Sequence, residues 1–507
     1  MTKFFLLTGL LLAGLSLPAQ NEGDPFFGAW TVHEIRLQFS QPGYWDSLTQ
    51  NYKTDTYMRC DVSIDGQAFP QSGVKFKGNS SYNNPGRKKP FRIDFEEYVN
   101  GQALDGLKKI VLNNGFKDPS LLREKLMLDF LQAHHIAGPR ATFARLYLND
   151  HYWGLYTVVE DVNKTFLKDR YGNKDGNLFK GDPKGTLNWK GPDPALYQTD
   201  YELKTNESAN DWSDLIRLLE RLNNTPAAQL RDSLGRYLNL PAWIDYWAVH
   251  NLFVNLDSYI GSGHNYFLYH NTETGRFEWI TWDVNEAFGN FQMGISLPNL
   301  EALPFVHIPQ PMAQRPLMNR LLPDPVFKQQ LAERFCELLP DFTNARLDGR
   351  IDSLAALIRP HVYADTLKFF SNTQFEQNLY QDLVPGPGAP AVSVIAGLKP
   401  FVKTRHDALR QQLLAYGCTA TATGQPAASS LPHLLPNPAS TYLLLETPGL
   451  LPESLRLHDA AGQTLRSWQP QPQEQQTLSL EGIPPGWYLL SVTGAAQAFV
   501  LKVLVVR

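Results

Sequence analysis

Cysteine is scarce: Cys60, Cys336 and Cys418 are the only three in 507 residues, odd in number and far apart. At most one disulfide can form, so no disulfide framework carries the fold, and no spacing suits a zinc site. A charge of one sign is also missing. Lys and Arg total 46 against 50 Asp and Glu, for a net charge of −4 and a pI of about 6.3, with no long run of either sign. That balance leaves no electrostatic footprint for DNA or RNA, and nucleic acid is excluded as a partner. Long apolar runs are absent beyond the amino terminus, so no transmembrane segment is expected in the mature chain. No CxxC pair, Walker loop, Ser-His-Asp order or His-x-x-x-His spacing points to redox, P-loop, serine-hydrolase or zinc chemistry.

Apolar material, by contrast, is ample. Hydrophobic residues make up 43% and aromatic residues 12% of the chain, enough for large cores, and the length suggests two or three domains. Lys3, the apolar run 4–17 and Pro18-Ala19-Gln20 predict a secretory signal peptide over residues 1–19. From Trp30 to about Phe95 the chain alternates as strands do, over 31–39, 58–64 and 73–77. Asp118-Pro119-Ser120 is expected to cap a helix over 121–134. A strand pair, 145–148 and 154–159, flanks the turn Asn149-Asp150. Further helices are expected over 211–222, 241–252, 317–338, 347–358 and 399–414. The stretch 419–430 is small, uncharged and linker-like. Short alternating runs at 442–446, 454–458, 477–480, 487–492 and 498–506 predict a small β-sandwich.

The densest chemistry surrounds a hairpin. Strand-like runs 265–270 and 276–282 flank Asn271-Thr-Glu-Thr-Gly275, and antiparallel pairing is expected to bring Asn265 opposite Asp283, with Asp257 on the loop upstream. Oxygen donors of this kind suit a hard divalent cation. Phosphoryl-transfer sites combine one Asp that accepts the substrate hydroxyl proton with an Asn and an Asp that hold magnesium. Any one of these residues alone also serves as a turn cap.

His264-Asn-Tyr-Phe-Leu-Tyr followed by Trp282-Asp-Val-Asn-Glu-Ala-Phe-Gly289 resembles the signature of the CotH family, the spore coat protein H type of atypical secreted protein kinase. Val74-Lys-Phe-Lys-Gly-Asn-Ser-Ser81, Lys88-Lys-Pro-Phe-Arg-Ile-Asp-Phe95, the block from Tyr147 to Glu160 and Gly397-Leu-Lys-Pro-Phe-Val-Lys-Thr-Arg405 resemble its other segments. The likeness covers about residues 30 to 415 in one order. It implies an α+β fold, with a two-lobed atypical protein-kinase-like domain over 25–417, ATP and Mg2+ (or Mn2+) as cofactors, and phosphoryl transfer to Ser or Thr of a secreted or surface protein.

The resemblance also implies roles. Asp257 is the candidate catalytic base. Asn265 and Asp283 are the candidate metal ligands, with Asn285 standing where some members carry a second Asp. Lys77, Lys88 and Lys89 are the alternatives for the phosphate-gripping cation, with Lys89 preferred, while Asn79 and Ser80 beside Gly78 let backbone amides approach phosphate. Glu124 is a candidate partner for that lysine, or forms a local ion pair on a helix surface. Glu160 and Asp161 stand where the backbone between the lobes would meet adenine. His264 is a further candidate phosphate contact. The rival functions are a non-catalytic adhesin and a nucleotide-binding pseudokinase scaffold.

After a linker over 418–434, residues 435–507 resemble the carboxy-terminal sorting domain of the type IX secretion system. Pro436-Asn437-Pro438-Ala439, Leu457-His-Asp-Ala-Ala-Gly462 and Gly486-Trp-Tyr-Leu-Leu490 carry that likeness. It implies the type IX machinery as a partner and a secreted or outer-surface location reached through the periplasm. A carbohydrate-binding or fibronectin-like appendage is the alternative.

Overall fold

The computed structural model describes residues 21–386 and 394–418, and further on 433–435, 439, 441–447, 451–459, 463–471, 473, 475–494 and 498–505. The expected signal peptide, nearly all of the expected linker, residues 436–438 and residues 460–462 lie outside the described residues. The chain forms two compact units, Met1–Cys418 and Thr419–Arg507.

The alternating amino-terminal segments form strands β1 (Val32–Gln38), β2 (Met58–Ile64), β3 (Gln67–Phe76), β4 (Phe91–Asp94), β5 (Lys109–Asn113), β6 (Ala141–Leu148) and β7 (His151–Glu160). They close into a barrel in the order β1-β2-β3-β4-β5-β7-β6. Neighbours are antiparallel except at the seam, where β1 runs parallel to β6 from Val32 beside Phe143 to Leu37 beside Leu148. The expectation was a two-lobed kinase arrangement. The fold is indeed mixed α and β, but its amino-terminal sheet closes on itself, and the β1–β6 pairing removes the two edges an open sheet would expose. Ile35, Val62, Val74, Phe91, Ile110 and Leu146 belong to its core. The turn between β6 and β7 uses Asn149 and Asp150 at φ 45° and 64°, the left-handed pair a tight hairpin demands.

A second sheet, in the order β11-β10-β8-β9, is formed by β8 (Leu178–Gly181), β9 (Tyr201–Leu203), β10 (Tyr266–Asn271) and β11 (Arg276–Thr281). The helix Leu240–Leu252 stands against β11. Asn239 caps its start, and Trp243 and Tyr246 pack on Trp279 with ring centroids 4.6 and 5.0 Å away. Burial on nearly every side explains why this helix has no polar stripe.

Two expected helices differ in detail. The one expected over 121–134 begins at Arg123, because Leu121 is left-handed (φ 57°), and the Asp118 carboxylate accepts from the Arg123 backbone N–H at 3.0 Å as well as from Ser120 and the buried Arg123 guanidinium. The one expected over 317–338 is broken into Pro316–Leu321 and Pro325–Leu338, with Asp324 capping the second through Val326 and Phe327. Cys336 and Cys418 form a disulfide across 82 residues, and Cys60 is free and buried.

The second unit is strand-rich. It comprises β12 (His433–Leu435), β13 (Tyr442–Glu446), β14 (Ser454–His458), β15 (Thr464–Trp468), β16 (Gln475–Ser479), β17 (Gly486–Thr493) and β18 (Ala498–Val505). They make a three-stranded sheet, β12-β13-β16, and a four-stranded sheet, β15-β14-β17-β18. Leu443, Leu445, Leu457, Leu478, Leu490 and Val503 form one buried cluster drawn from both. β15 was not anticipated: it is an edge strand whose side chains are exposed or half-buried, so it carries no apolar alternation.

Candidate functional site

A cleft of about 1290 Å³ in the first unit is lined by the ends of β3 and β5, the helix Arg123–Ala133 and the loops flanking the β10–β11 hairpin. β10 and β11 pair from Tyr266 with Thr281 to Asn271 with Arg276. Extending that register sets Asn265 level with Trp282, one residue short of the expected Asp283. The ladder stops there because Asn265 and Asp283 are both left-handed, at φ 61° and 54°, a conformation Asn and Asp tolerate better than most residues. Both still line the cleft, with Asp257, His264 and Asn285.

Asp257 is held on three sides. Asn265 Nδ2 donates to its backbone oxygen at 2.9 Å and to Oδ2 at 3.2 Å, Ser262 Oγ donates to Oδ1 at 3.3 Å, and His264 Nε2 lies 3.2 Å from Oδ1. Burial alone would lower the His264 pKa, but the hydrogen bond and charge of Asp257 outweigh it and raise the imidazole above its usual value. The amide nitrogen of Asn265 is thus committed to Asp257, which leaves Oδ1 as its acceptor end. Burial raises the Asp283 carboxyl, the Lys77 ammonium opposes that shift, and Asp257 adds to it.

The three candidate lysines separate cleanly. Lys77, at the end of β3, lines the cleft. Its ammonium donates to Asn113 Oδ1 at 3.0 Å and lies 5.6 Å from the centre of the Trp282 ring. Asn113 Nδ2 in turn lies 2.9 Å from both oxygens of Glu124. Glu124 therefore meets the lysine through Asn113, and it is buried, not part of a surface ion pair. Burial, with Asp283 next, raises its carboxyl to about 8, while burial lowers Lys77.

Lys88 is fully buried away from the cleft, with its ammonium 2.6 Å from Asp365. Asp365 reaches it by crossing β7 at Gly154, where any Cβ would lie 2.5 Å from the carboxylate, and it also accepts from Leu155 N. The preferred candidate, Lys89, ties down the segment before β4 through the carbonyls of Tyr82 and Asn84 at 2.7 and 2.5 Å, and it does not line the cleft either. Strand alternation turns neighbouring residues to opposite faces, and pattern alone does not say which face meets a cleft. Asn79 and Ser80 are exposed at the start of the short helix Ser80–Asn83 that follows Gly78, and both line the cleft.

Glu160 is also elsewhere. Its carboxylate is gripped by Arg140 at 2.6 and 3.0 Å and by Arg170 at 3.0 Å. Its neighbour Asp161 does line the cleft, 2.6 Å from Arg92. Cleft residues not anticipated include Asn113, Lys117 and Glu286. Asn113 had a signal, as a polar residue closing the apolar strand Ile110-Val-Leu. Glu286 lies inside the hairpin signature, three residues after Asp283.

Among the described residues, no three His, Cys, Asp or Glu side chains gather closely enough to hold a metal ion by themselves. Magnesium in phosphoryl transfer asks for less, one or two carboxylates completed by phosphate oxygens and water. Asp283 with the Asn265 amide oxygen fits that smaller set. Glu286 adds a buried carboxylate oxygen, Oε2, that has no hydrogen-bond partner among the described residues.

Comparison with known proteins agrees with this geometry. The family described as CotH kinase protein matches residues 74–389, and that described as secretion system C-terminal sorting domain matches residues 433–507. Inner spore coat protein H of Bacillus subtilis (strain 168) is 28% identical over 290 residues, covering 56% of this chain and 75% of that protein. Spore coat protein homolog 1 of Rhizopus delemar is 21% identical over 430 residues, covering 80% of this chain and 68% of that protein. The sorting domain marks a secreted or cell-surface protein, and among the described residues no helix is long and apolar enough to cross a membrane. The chain belongs to the CotH kinase family and ends in a secretion-system sorting domain.

Proposed function

We propose that this protein is an ATP- and divalent-metal-dependent atypical protein kinase of the cell exterior. It transfers the γ-phosphoryl group to a Ser or Thr hydroxyl of a secreted or surface protein. The observation that carries this reading is the convergence of Lys77, Asn113 and Glu124 from the barrel side with Asp257, Asn265 and Asp283 from the hairpin side in one cleft. The two sides act as the two lobes of a kinase.

Each residue then has a task. The Lys77 ammonium binds the α- and β-phosphates. Burial lowers its pKa, and phosphate charge opposes that shift. Asn113 fixes the direction of that ammonium and transmits the position of the helix that carries Glu124. Asn79 and Ser80 flank the phosphates at the cleft mouth. Magnesium or manganese, held by Asp283 and Asn265 with Asn285 beside them, supplies neutralisation of the phosphate charge.

Asp257 accepts the proton of the attacking hydroxyl. The hydroxyl oxygen forms the new bond to the γ-phosphorus as the bond to the ADP oxygen breaks. Asn265, Ser262 and His264 hold the Asp257 carboxylate in one orientation, which matches the demand that a base be placed before it is used. An adhesin has no use for a carboxylate so constrained. Delivery to the exterior proceeds by an amino-terminal signal to the periplasm and then by the sorting domain through the type IX machinery.

Incubation of the purified chain with ATP and Mg2+ or Mn2+, with and without a Ser/Thr-rich acceptor protein, tests the proposal. Phosphate incorporation read by mass is expected. No incorporation with either ion, from a chain that binds ATP, would leave the pseudokinase scaffold.

A further inference from the structure

Glu286 is 3% exposed and lines the same cleft as Asp257 and Asp283. Lys117 Nζ donates to its Oε1 at 2.9 Å, but Oε2 is buried with no hydrogen-bond partner among the described residues. A carboxylate that serves only to pair a lysine normally has its second oxygen satisfied as well, because a buried acceptor left bare is costly. Three carboxyls therefore line one cleft, with Lys77, Lys117 and Lys180 among its ammonium groups. The next residue back, Asn285, lines the same cleft and is neutral, so it contributes no charge to a second cation. Rotation about the last side-chain torsion of Glu286, whose energy profile is broad, presents either oxygen.

We propose that Glu286 is a ligand of a second divalent cation, which it shares with Asp283, and that Lys117 competes with that cation for the same carboxylate. This rests on the kinase reading of the cleft and adds a residue to it. Glu286 supplies the charge that Asn285 lacks. Lys117 sits on the loop joining β5 to the helix Arg123–Ala133, with its own carbonyl held by Asn290 at 2.8 Å, so cation binding at Glu286 frees a lysine on the barrel side of the cleft.

Mn2+ titration of the full chain, followed by electron paramagnetic resonance of the free ion, tests this with and without a non-hydrolysable ATP analogue. With the analogue, the wild type is expected to bind two Mn2+. Glu286→Gln should bind the second at least about tenfold more weakly while still binding the analogue. Lys117→Met should bind the second Mn2+ more tightly, because the competing ammonium is gone. Unchanged Mn2+ stoichiometry and affinity in Glu286→Gln would overturn the proposal and leave the kinase reading intact, and so would a lowered melting temperature with an unchanged isotherm. A wild type that binds no analogue sinks the kinase reading. The proposal is then decided by Mn2+ alone, where weaker binding by Glu286→Gln supports it and an unchanged isotherm overturns it.

Discussion

The two units of the chain treat charge in opposite ways. The first buries Lys88, Arg123, Glu124, Glu160, Glu286, Asp365 and Arg405, among others, whereas the buried polar residues described in the second are only Thr447 and Gln476. The second unit is held by a cluster of Leu, Val, Ile, Ala and Tyr side chains. Burying a charge is expensive unless it is paired, and removing one partner of a buried pair is worse than never having had it. A unit that keeps many buried charges is either braced by them or uses them. In the first unit the buried pair Lys88 and Asp365 braces the barrel, while Lys77, Glu124, Asp283 and Glu286 line one cleft and are the charges proposed for use. A sorting tail has no chemistry to perform and can be assembled from apolar alternation alone.

The sharpest break of this contrast is at Asp257. Asp257→Asn is expected to lower phosphoryl transfer by roughly 10²- to 10⁴-fold while nucleotide affinity stays within about threefold, because an amide cannot take the hydroxyl proton. Asp283→Ala is expected to abolish metal-dependent nucleotide binding outright. Calorimetry beside a turnover assay separates the two, and equal losses of binding and turnover in Asp257→Asn would reassign Asp257 to the metal.

Bracing and use are next told apart by two lysines on one stretch of chain. Lys88→Met strands the Asp365 carboxylate and should cost about 3–5 kcal/mol of stability, with ATP affinity retained by whatever remains folded. Lys77→Met should show the reverse, a nearly unchanged denaturant midpoint and lost ATP binding. Urea unfolding and nucleotide titration of both variants give the four numbers needed. If Lys88→Met alone lost ATP, the assignment of Lys77 would fail.

The disulfide offers a smaller effect. It closes a loop of 82 residues ending at the last residue of the first unit. The chain-entropy model assigns a loop of that size up to about 4 kcal/mol, so Cys418→Ser should lower the urea midpoint of the first unit and leave the second unit unaffected.

The pH dependence is subtler. The Glu124 carboxyl has a folded value of about 8 against 4.5 unperturbed, so between those values the fold holds a proton that the unfolded chain releases. Its contribution to stability is complete below about pH 4.5 and is lost as pH rises through about 8. Glu124→Gln should therefore flatten the decline in melting temperature from pH 5 to 8. The smallest expected effect is that of ending the chain after Cys418. Activity in vitro should stay within about twofold, because every proposed catalytic residue lies before that point, while export past the periplasm is lost. Normal medium or surface levels on cell fractionation would make the tail a binding module.

Much of this was legible from local pattern. The strands of the barrel, the β10–β11 hairpin and the turn at Asn149-Asp150 follow from signals a few residues long. The same holds for Asp257, Asn265 and Asp283 standing near one another, since only 27 positions span them. The barrel seam between β1 and β6, the off-register end of the hairpin and the edge strand β15 carry no repeating apolar signal, whereas the break at Pro323-Asp324-Pro325 is marked by its two prolines, which outweigh the apolar pattern on either side. Pattern favours Lys89 over Lys77 and Lys88 and does not separate Glu160 from Asp161, because all are polar residues at or near strand ends.

Composition and order in the sequence by themselves determined the strand-rich beginning, the hairpin carrying oxygen donors and the tail with its own apolar alternation. Only the tertiary structure decided which charge is braced and which is free to act. The partner that removes Lys88 from the cleft, Asp365, is 277 residues away, and the one that occupies Glu286, Lys117, is 169 residues away. An ion pair forms only where two charges come within a few ångströms, and over such separations that proximity is set by how the barrel closes and the helices pack, not by anything written beside either residue.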